Sequence, residues 1–274
     1  LGKKLRRMRY DPELGIETCC LGGLVQAFPA HFHSHYVIGT IERGERWTVI
    51  GGEKIRTRPG DLIVFNPNAV HACQQVDERP LNWRSLNINP QVMASAAQEV
   101  TGRALLPRFV KTVLPDSKLA ALVRELCRRI EANASRLHRG EMFLLLIGQL
   151  LEACAGCAVP TVEAERPEVA TVCVYLEANY ARPIALEELS GLTGLSKYHL
   201  LRCFARQKGI TPFQYLQNIR VDRAKTLLEQ GCFPLEAALE SGFSDQSHFT
   251  NVFKSHIGLT PSQYRAVFQQ EALP

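Results

Sequence analysis

The sequence predicts an α+β chain of several domains, rich in strands at its N-terminal end and all-α at its C-terminal end. Two observations carry this: the spacing of apolar residues turns from strand-like to helical near residue 115, and one seven-residue pattern occurs twice in the C-terminal third. From Val25 to Ile88 the apolar runs are short: Tyr36–Ile41, Trp47–Ile50, Lys54–Thr57 and Leu62–Phe65. Turn signals at Arg43-Gly44-Glu45, Gly51-Gly52 and Pro59-Gly60-Asp61 separate them, which predicts a sandwich or small barrel. From Pro115 onward, Leu119, Leu122, Val123, Leu126 and Ile130 share one helical face, and a second helix, Met142–Cys154, is apolar around most of its surface. The two predict an antiparallel hairpin over 115–157, whose surplus apolar surface either joins two copies or covers the sheet. Residues 158–168, with two prolines and three acidic residues, read as a linker. Everything from 169 to 274 reads as helical.

Composition narrows the class. Of 274 residues, 46% are hydrophobic and 22% charged, with a net charge of +5, which excludes a disordered chain, a collagen and a small disulfide scaffold. The most apolar stretch, Met142–Val159, is interrupted by Gln149 and Glu152 and falls short of the ~20 apolar residues of a spanning helix, so no membrane partner is expected. Nine cysteines, at positions 19, 20, 73, 127, 154, 157, 173, 203 and 232, are scattered rather than set at framework spacings. They read as thiols in a reducing compartment, which places the protein in the cytoplasm. Cys154-Ala-Gly-Cys157 and Cys19-Cys20 are expected as buried thiols, with a redox-sensing pair as the alternative. The basic start (Lys3, Lys4, Arg6, Arg7, Arg9) reads as a solvated terminus or as a mobile arm.

The repeat is Gly209-Ile-Thr-Pro-Phe-Gln-Tyr215, which returns as Gly258-Leu-Thr-Pro-Ser-Gln-Tyr264 after 49 residues. Upstream of each copy stand a helix containing a Phe (Phe204, Phe253), a helix start at Ser196 or Ser244, and a turn glycine, Gly194 or Gly242. Before each glycine comes a short apolar helix with a small residue (Ser190, Ala238) that permits close approach. A helix, a tight turn where positive φ is cheap only for glycine, and a capped second helix make a helix-turn-helix, whose second helix suits a DNA major groove. Here the unit occurs twice.

On these residues, with Leu200, with Arg220 and Ala224 on the connecting helix, and with the stretch Gly242-Phe-Ser-Asp-Gln-Ser-His-Phe249, residues 170–268 resemble the DNA-binding domain of the AraC/XylS family of bacterial transcription regulators. The resemblance implies seven helices and two recognition helices set in successive major grooves, here about Lys197–Gln207 and Asp245–His256. Helix faces assign the readers. With Leu200, Cys203 and Phe204 inward, Lys197, Tyr198, Leu201, Arg202 and Arg206 face out. With Phe249, Val252 and Phe253 inward, Gln246, Ser247, Thr250, Asn251 and Lys254 face out. Arg202 suits guanine, Gln246 and Asn251 suit adenine, Tyr198 and Leu201 suit thymine methyls, and Thr250 and Lys254 suit phosphate. The resemblance implies Tyr198, Arg202, Gln246, Ser247 and Asn251 as readers. From Ser196 to Lys225 there are seven basic residues and one acidic; from Thr226 to Pro274 there are two basic and five acidic. The first module is therefore expected to anchor the protein and the second to adjust it.

The N-terminal region carries His31-Phe-His-Ser-His35, Gly44, Pro59-Gly60-Asp61 and Asn66-Pro-x-x-x-His71, and so resembles the cupin barrel that many AraC-type regulators use for effector binding and dimerisation. In a strand His31, His33 and His35 share a face, and with His71 the set suits a transition metal, with His31, His33 and His71 as ligands. Metal-dependent cupin enzymes follow His-x-His with a glutamate after three or four intervening residues; here those positions hold Val37, Ile38, Gly39 or Thr40. That departure argues against catalysis and favours a ligand pocket of His31, His33, His35, Tyr36, Trp47, His71, Trp83 and Arg84, suited to a small polar effector such as a sugar, an amino acid or a carboxylate.

The whole reading is an α+β multidomain chain. Residues 1–114 form a cupin-like β-barrel, 115–157 a helical dimerisation hairpin, 158–168 a linker and 169–274 an all-α double helix-turn-helix domain. The expected function is a homodimeric, non-enzymatic transcription regulator on double-stranded promoter DNA, an activator that works with RNA polymerase and is controlled by a small-molecule effector. Alternatives are a metal- or thiol-redox-responsive regulator and a metal-dependent cupin enzyme fused to a DNA-binding domain.

Overall fold

A computed structural model describes residues 5–153 and 166–269. The chain divides into two compact units, Leu1–Ala27 with His33–Pro160, and Phe28–Phe32 with Thr161–Pro274. The expected linker and the Cys154/Cys157 pair lie wholly or largely outside the described residues.

In the first unit, β1 (Leu5–Asp11), β2 (Ile16–Leu24), β4 (Tyr36–Arg43), β7 (Leu62–Phe65), β9 (Leu81–Ile88) and β10 (Val113–Leu114) form an antiparallel sheet in the order β1-β2-β9-β4-β7-β10. A second antiparallel ribbon runs β8 (His71–Gln75), β5 (Arg46–Ile50), β6 (Glu53–Thr57). The four strands expected between residues 36 and 65 are all present. The sheet begins twenty residues before the expected Val25, with β2 and with the edge strand β1, which is mostly polar (Leu-Arg-Arg-Met-Arg-Tyr-Asp) and carries no apolar run. The arginines of that start belong to a strand rather than to a mobile arm: Arg6 donates to the Gly22 carbonyl at 2.7 Å and Arg9 to the Glu131 carbonyl at 2.7 Å.

One face of the six-stranded sheet is covered by three helices, α1 (Pro90–Thr101), α2 (Lys118–Glu131) and α3 (Arg136–Ala153). The expected hairpin is α2 with α3; α1, capped by Asn89 and ended by Gly102 at φ +72°, was not foreseen. Ile16, Ile38, Leu62, Val64, Leu86 and Ile88 from the sheet meet Met93, Val123, Leu126, Phe143, Leu146 and Leu150 from the helices, all buried. Each such side chain contributes ~1.5–3 kcal/mol by leaving water. Arg139 of α3, itself buried, holds Asp11 and Glu13 in ion pairs and so fixes the end of β1 against the hairpin. The hairpin therefore does cover the sheet, while Leu137 and Leu145 of α3 stay 73% and 52% exposed.

The other sheet face turns toward the ribbon. Arg46 of β5 donates to the Leu24 carbonyl of β2 at 2.7 Å, and the His71 ring of β8 stacks on Phe65 of β7 at 3.8 Å.

The second unit includes β3 (Phe28–His31) and the seven helices implied by the family resemblance: α4 (Pro167–Ala178), α5 (Leu186–Thr193), α6 (Lys197–Lys208), α7 (Pro212–Glu229), α8 (Pro234–Glu240), α9 (Gln246–Ile257) and α10 (Pro261–Gln269). The repeated heptapeptide has one physical job, performed twice. Gly209 and Gly258, at φ +73° and +82°, end α6 and α9. Thr211 and Thr260 accept from the amides of Gln214 and Gln263, whose side chains accept from the threonine amides in return, a reciprocal cap on the next helix. Proline fills the first helical turn, where its missing N–H costs nothing. Tyr215 and Tyr264 then donate to Glu177 at 2.7 Å and Glu229 at 2.6 Å. Among the described residues no helix is long and apolar enough to cross a membrane.

Candidate nucleic-acid interface and effector domain

Each helix-turn-helix rests on its glycine. Gly194 at φ +69° stands in open space, whereas Gly242 at φ +87° lies so close to the preceding chain that a Cβ would sit 2.6 Å from the Tyr180 carbonyl oxygen. Ser196 caps α6 by accepting from the His199 amide at 3.3 Å. The expected cap of the second recognition helix, Ser244, is displaced by its neighbour: Asp245 accepts from the His248 amide at 2.7 Å, and Ser244 donates to Asp245 at 3.3 Å. A carboxylate is the better acceptor at a helix N-terminus, and those amides hold Asp245 below the usual carboxylate range.

On α6, Leu200 and Phe204 are fully buried, and Lys197, Tyr198, Arg202 and Arg206 are exposed. Arg202 sits 5.7 Å from the Tyr198 ring, so of the two expected readers each steadies the other. Lys197 is held in an ion pair by Glu187 of α5. On α9, Phe249 and Phe253 are fully buried, and Gln246, Ser247, Asn251 and Lys254 are exposed. Leu201 and Thr250 are half-buried, at the margins of their faces. Cys203, expected inward, is also half-buried and lies beside two residues left out of the sequence reading, His199 and Arg166. An i, i+4 spacing of His199 and Cys203 was the available signal.

In the first unit the expected effector residues separate. Consecutive strand residues point to opposite faces, and this divides Trp83 from Arg84. Trp83 lies on the face toward the ribbon, its ring so close over Gly39 that no side chain would fit there. Arg84 lies on the other side and is occupied by Glu42 at 2.8 Å and Glu131 at 3.0 Å. Tyr36 is 1% exposed in the helix-covered core, donating to the Pro107 carbonyl at 2.5 Å. Trp47 faces away from the sheet, beneath Lys54 at 5.0 Å. Tyr36, Trp47 and Arg84 therefore do not converge. The same alternation puts Cys19 and Cys20, neighbours in β2, on opposite faces.

The histidines do not share one strand: β3 ends at His31, and 32–35 form no strand. His31 belongs to the 28–32 segment of the second unit, its Nδ1 2.7 Å from the Pro29 carbonyl. In the first unit His33 stacks on His35 at 5.0 Å and packs on His71 at 5.0 Å. Residues missed by the sequence reading line the same inter-sheet side: Glu17, accepting from Asn87 at 3.0 Å, and Thr48 with Thr57, 2.9 Å apart. Polar residues at every second position of β5, Arg46 and Thr48, were the signal for the second set.

Burial pushes the His71 imidazole down to about 4. Between that value and the ~6.5 of an unfolded histidine, only the unfolded chain binds the proton. Stability from this group is thus complete above pH ~6.5 and declines as pH falls toward 4, by about 3 kcal/mol in all. Urea midpoints measured at intervals between pH 7.5 and 4.5 check this: His71→Gln flattens the decline, and an unchanged slope contradicts it.

Residues 22–147 match the family described as an AraC-like ligand binding domain, and 189–266 match a helix-turn-helix domain family. The chain is 44% identical over 244 residues to the HTH-type transcriptional regulator YbfI of Bacillus subtilis, with 89% of each chain covered. It is 26% identical over 255 residues to the HTH-type transcriptional activator RhaR of Salmonella schwarzengrund, again over 89% of each. Unsaturated-fatty-acid-bound ToxT of Vibrio cholerae shares the fold, with a TM-score of 0.58 at 14% identity over 100% of both chains. The chain thus belongs to the AraC family of transcription regulators, with a ligand-binding domain followed by a helix-turn-helix DNA-binding domain.

Proposed function

We propose that the protein is a cytoplasmic, non-catalytic activator whose two recognition helices, α6 and α9, read promoter DNA, and whose first unit binds a small organic effector. The observation that carries this is the pair of capped helices built on one repeated frame, each presenting exposed polar readers, Arg202 on one and Gln246 and Asn251 on the other. Activation is supported by the RhaR relatives, which are named activators, and would make RNA polymerase the partner. Homodimerisation is assigned to the α2–α3 hairpin, where Leu137 and Leu145 remain exposed. A small molecule as signal is supported by the ligand-binding family match and by the fatty acid bound to ToxT.

The contact of His33 with His71 favours a second reading, a transition metal as the signal. Native mass spectrometry of the protein purified without chelator separates the two. An organic mass of one per subunit in a dimer, together with a rise in transcripts when the loaded protein meets polymerase, is the expected result. A metal increment lost in His33→Ala would replace it by metal sensing.

A further inference from the structure

The pair His199 and Cys203 plays no part in the reading of DNA just described. The two side chains stand one turn apart on α6, with Cys203 Sγ 3.4 Å from His199 Nε2. Tetrahedral zinc holds sulfur at ~2.3 Å and imidazole nitrogen at about 2.0–2.1 Å, so its Cys and His ligands stand about 3.6 Å apart. The pair is therefore already near the bite that a single ion demands, on a regular helix that fixes the backbone of both. His199 is exposed and Cys203 half-buried, which leaves room for the waters that complete a four-coordinate shell. Arg166, whose Nη1 donates to Sγ at 3.5 Å, is an exposed side chain that can swing aside.

We propose that His199 and Cys203 form a two-residue site for a borderline-soft divalent cation of the zinc class on the first recognition helix. Thiolate and imidazole select such ions over magnesium or calcium, which prefer oxygen. On binding, the ion takes the place of the Cys203 thiol proton, which leaves to solvent, and no electron is transferred. Because Tyr198 and Arg202 immediately precede the two ligands in sequence, the ion sits on the flank of the base-reading edge. Bridging one helical turn resists the fraying of α6, so ion binding and DNA binding influence each other.

The test uses the full chain titrated with cobalt(II), whose thiolate complexes absorb where its imidazole and water complexes do not. Wild type is expected to develop one equivalent of the thiolate-to-cobalt band, and zinc to displace it and raise the melting temperature. His199→Ala, which keeps every cysteine, and Cys203→Ala, which keeps every histidine, are each expected to lose the band and the zinc-dependent melting shift. Both substitutions replace accessible side chains with the best helix former, and circular dichroism checks that they fold. A wild-type protein without the band, or a band intact in either variant, overturns the assignment. Metal bound at His33 and His71 gives no thiolate band.

Discussion

Arg202→Ala is expected to weaken operator binding by on the order of 10- to 100-fold, the ~1–3 kcal/mol of a bidentate arginine–guanine contact. The side chain is exposed on α6 and steadied over Tyr198, so truncation removes a preorganised reader without touching the Leu200 and Phe204 core. Asn251→Ala on α9 is expected to cost less than half that free energy. Seven basic residues against one acidic lie between Ser196 and Lys225, and two against five lie beyond, so phosphate attraction is concentrated on the first module. Titrations of both variants against one operator at one salt concentration decide the matter. Equal losses would contradict unequal sharing, although both helices would still read DNA.

The second large effect separates two glycines of the same motif. Gly242→Ala places a Cβ 2.6 Å from the Tyr180 carbonyl oxygen at a φ of +87°, so backbone strain and a backbone clash coincide. Roughly 3 kcal/mol or more of stability is expected to be lost, with DNA binding failing as a consequence. Gly194→Ala meets only the strain, since nothing lies within 4 Å of its added Cβ, and should cost about 1 kcal/mol. Urea denaturation of the two variants compares them directly. Equal midpoints would mean that the Tyr180 segment yields and that the close approach is not structural.

What the sequence revealed follows from how local each device is. The double helix-turn-helix was legible because glycine, threonine, proline and glutamine each act within a few residues of their own position, and the second copy repeats the pattern, including a tyrosine whose partner, Glu177 or Glu229, lies far along the chain. Even there, two acceptors side by side, Ser244 and Asp245, left the cap ambiguous, and the carboxylate won. The sensor side was legible as strands, but which residues gather there depends on strand parity and on where a strand ends. One residue of parity turned Arg84 away to Glu42 and Glu131, and another turned Trp47 toward Lys54. The end of β3 at His31 broke the assumed common face of the three histidines. Tyr36 was a polar-tipped aromatic whose hydroxyl finds its partner seventy-one residues away, at Pro107, which no local pattern encodes.

The central claim is that both recognition helices engage DNA together. Hydroxyl-radical footprinting of the full-length protein on a single operator tests it most directly. Within the half-site of each subunit, two protected segments about one helical turn apart (~10 bp) on the same face of the duplex are expected. Arg202→Ala should weaken one of them first and Asn251→Ala the other. A single protected segment, unchanged by Asn251→Ala, would contradict the account and leave α9 without a role in recognition.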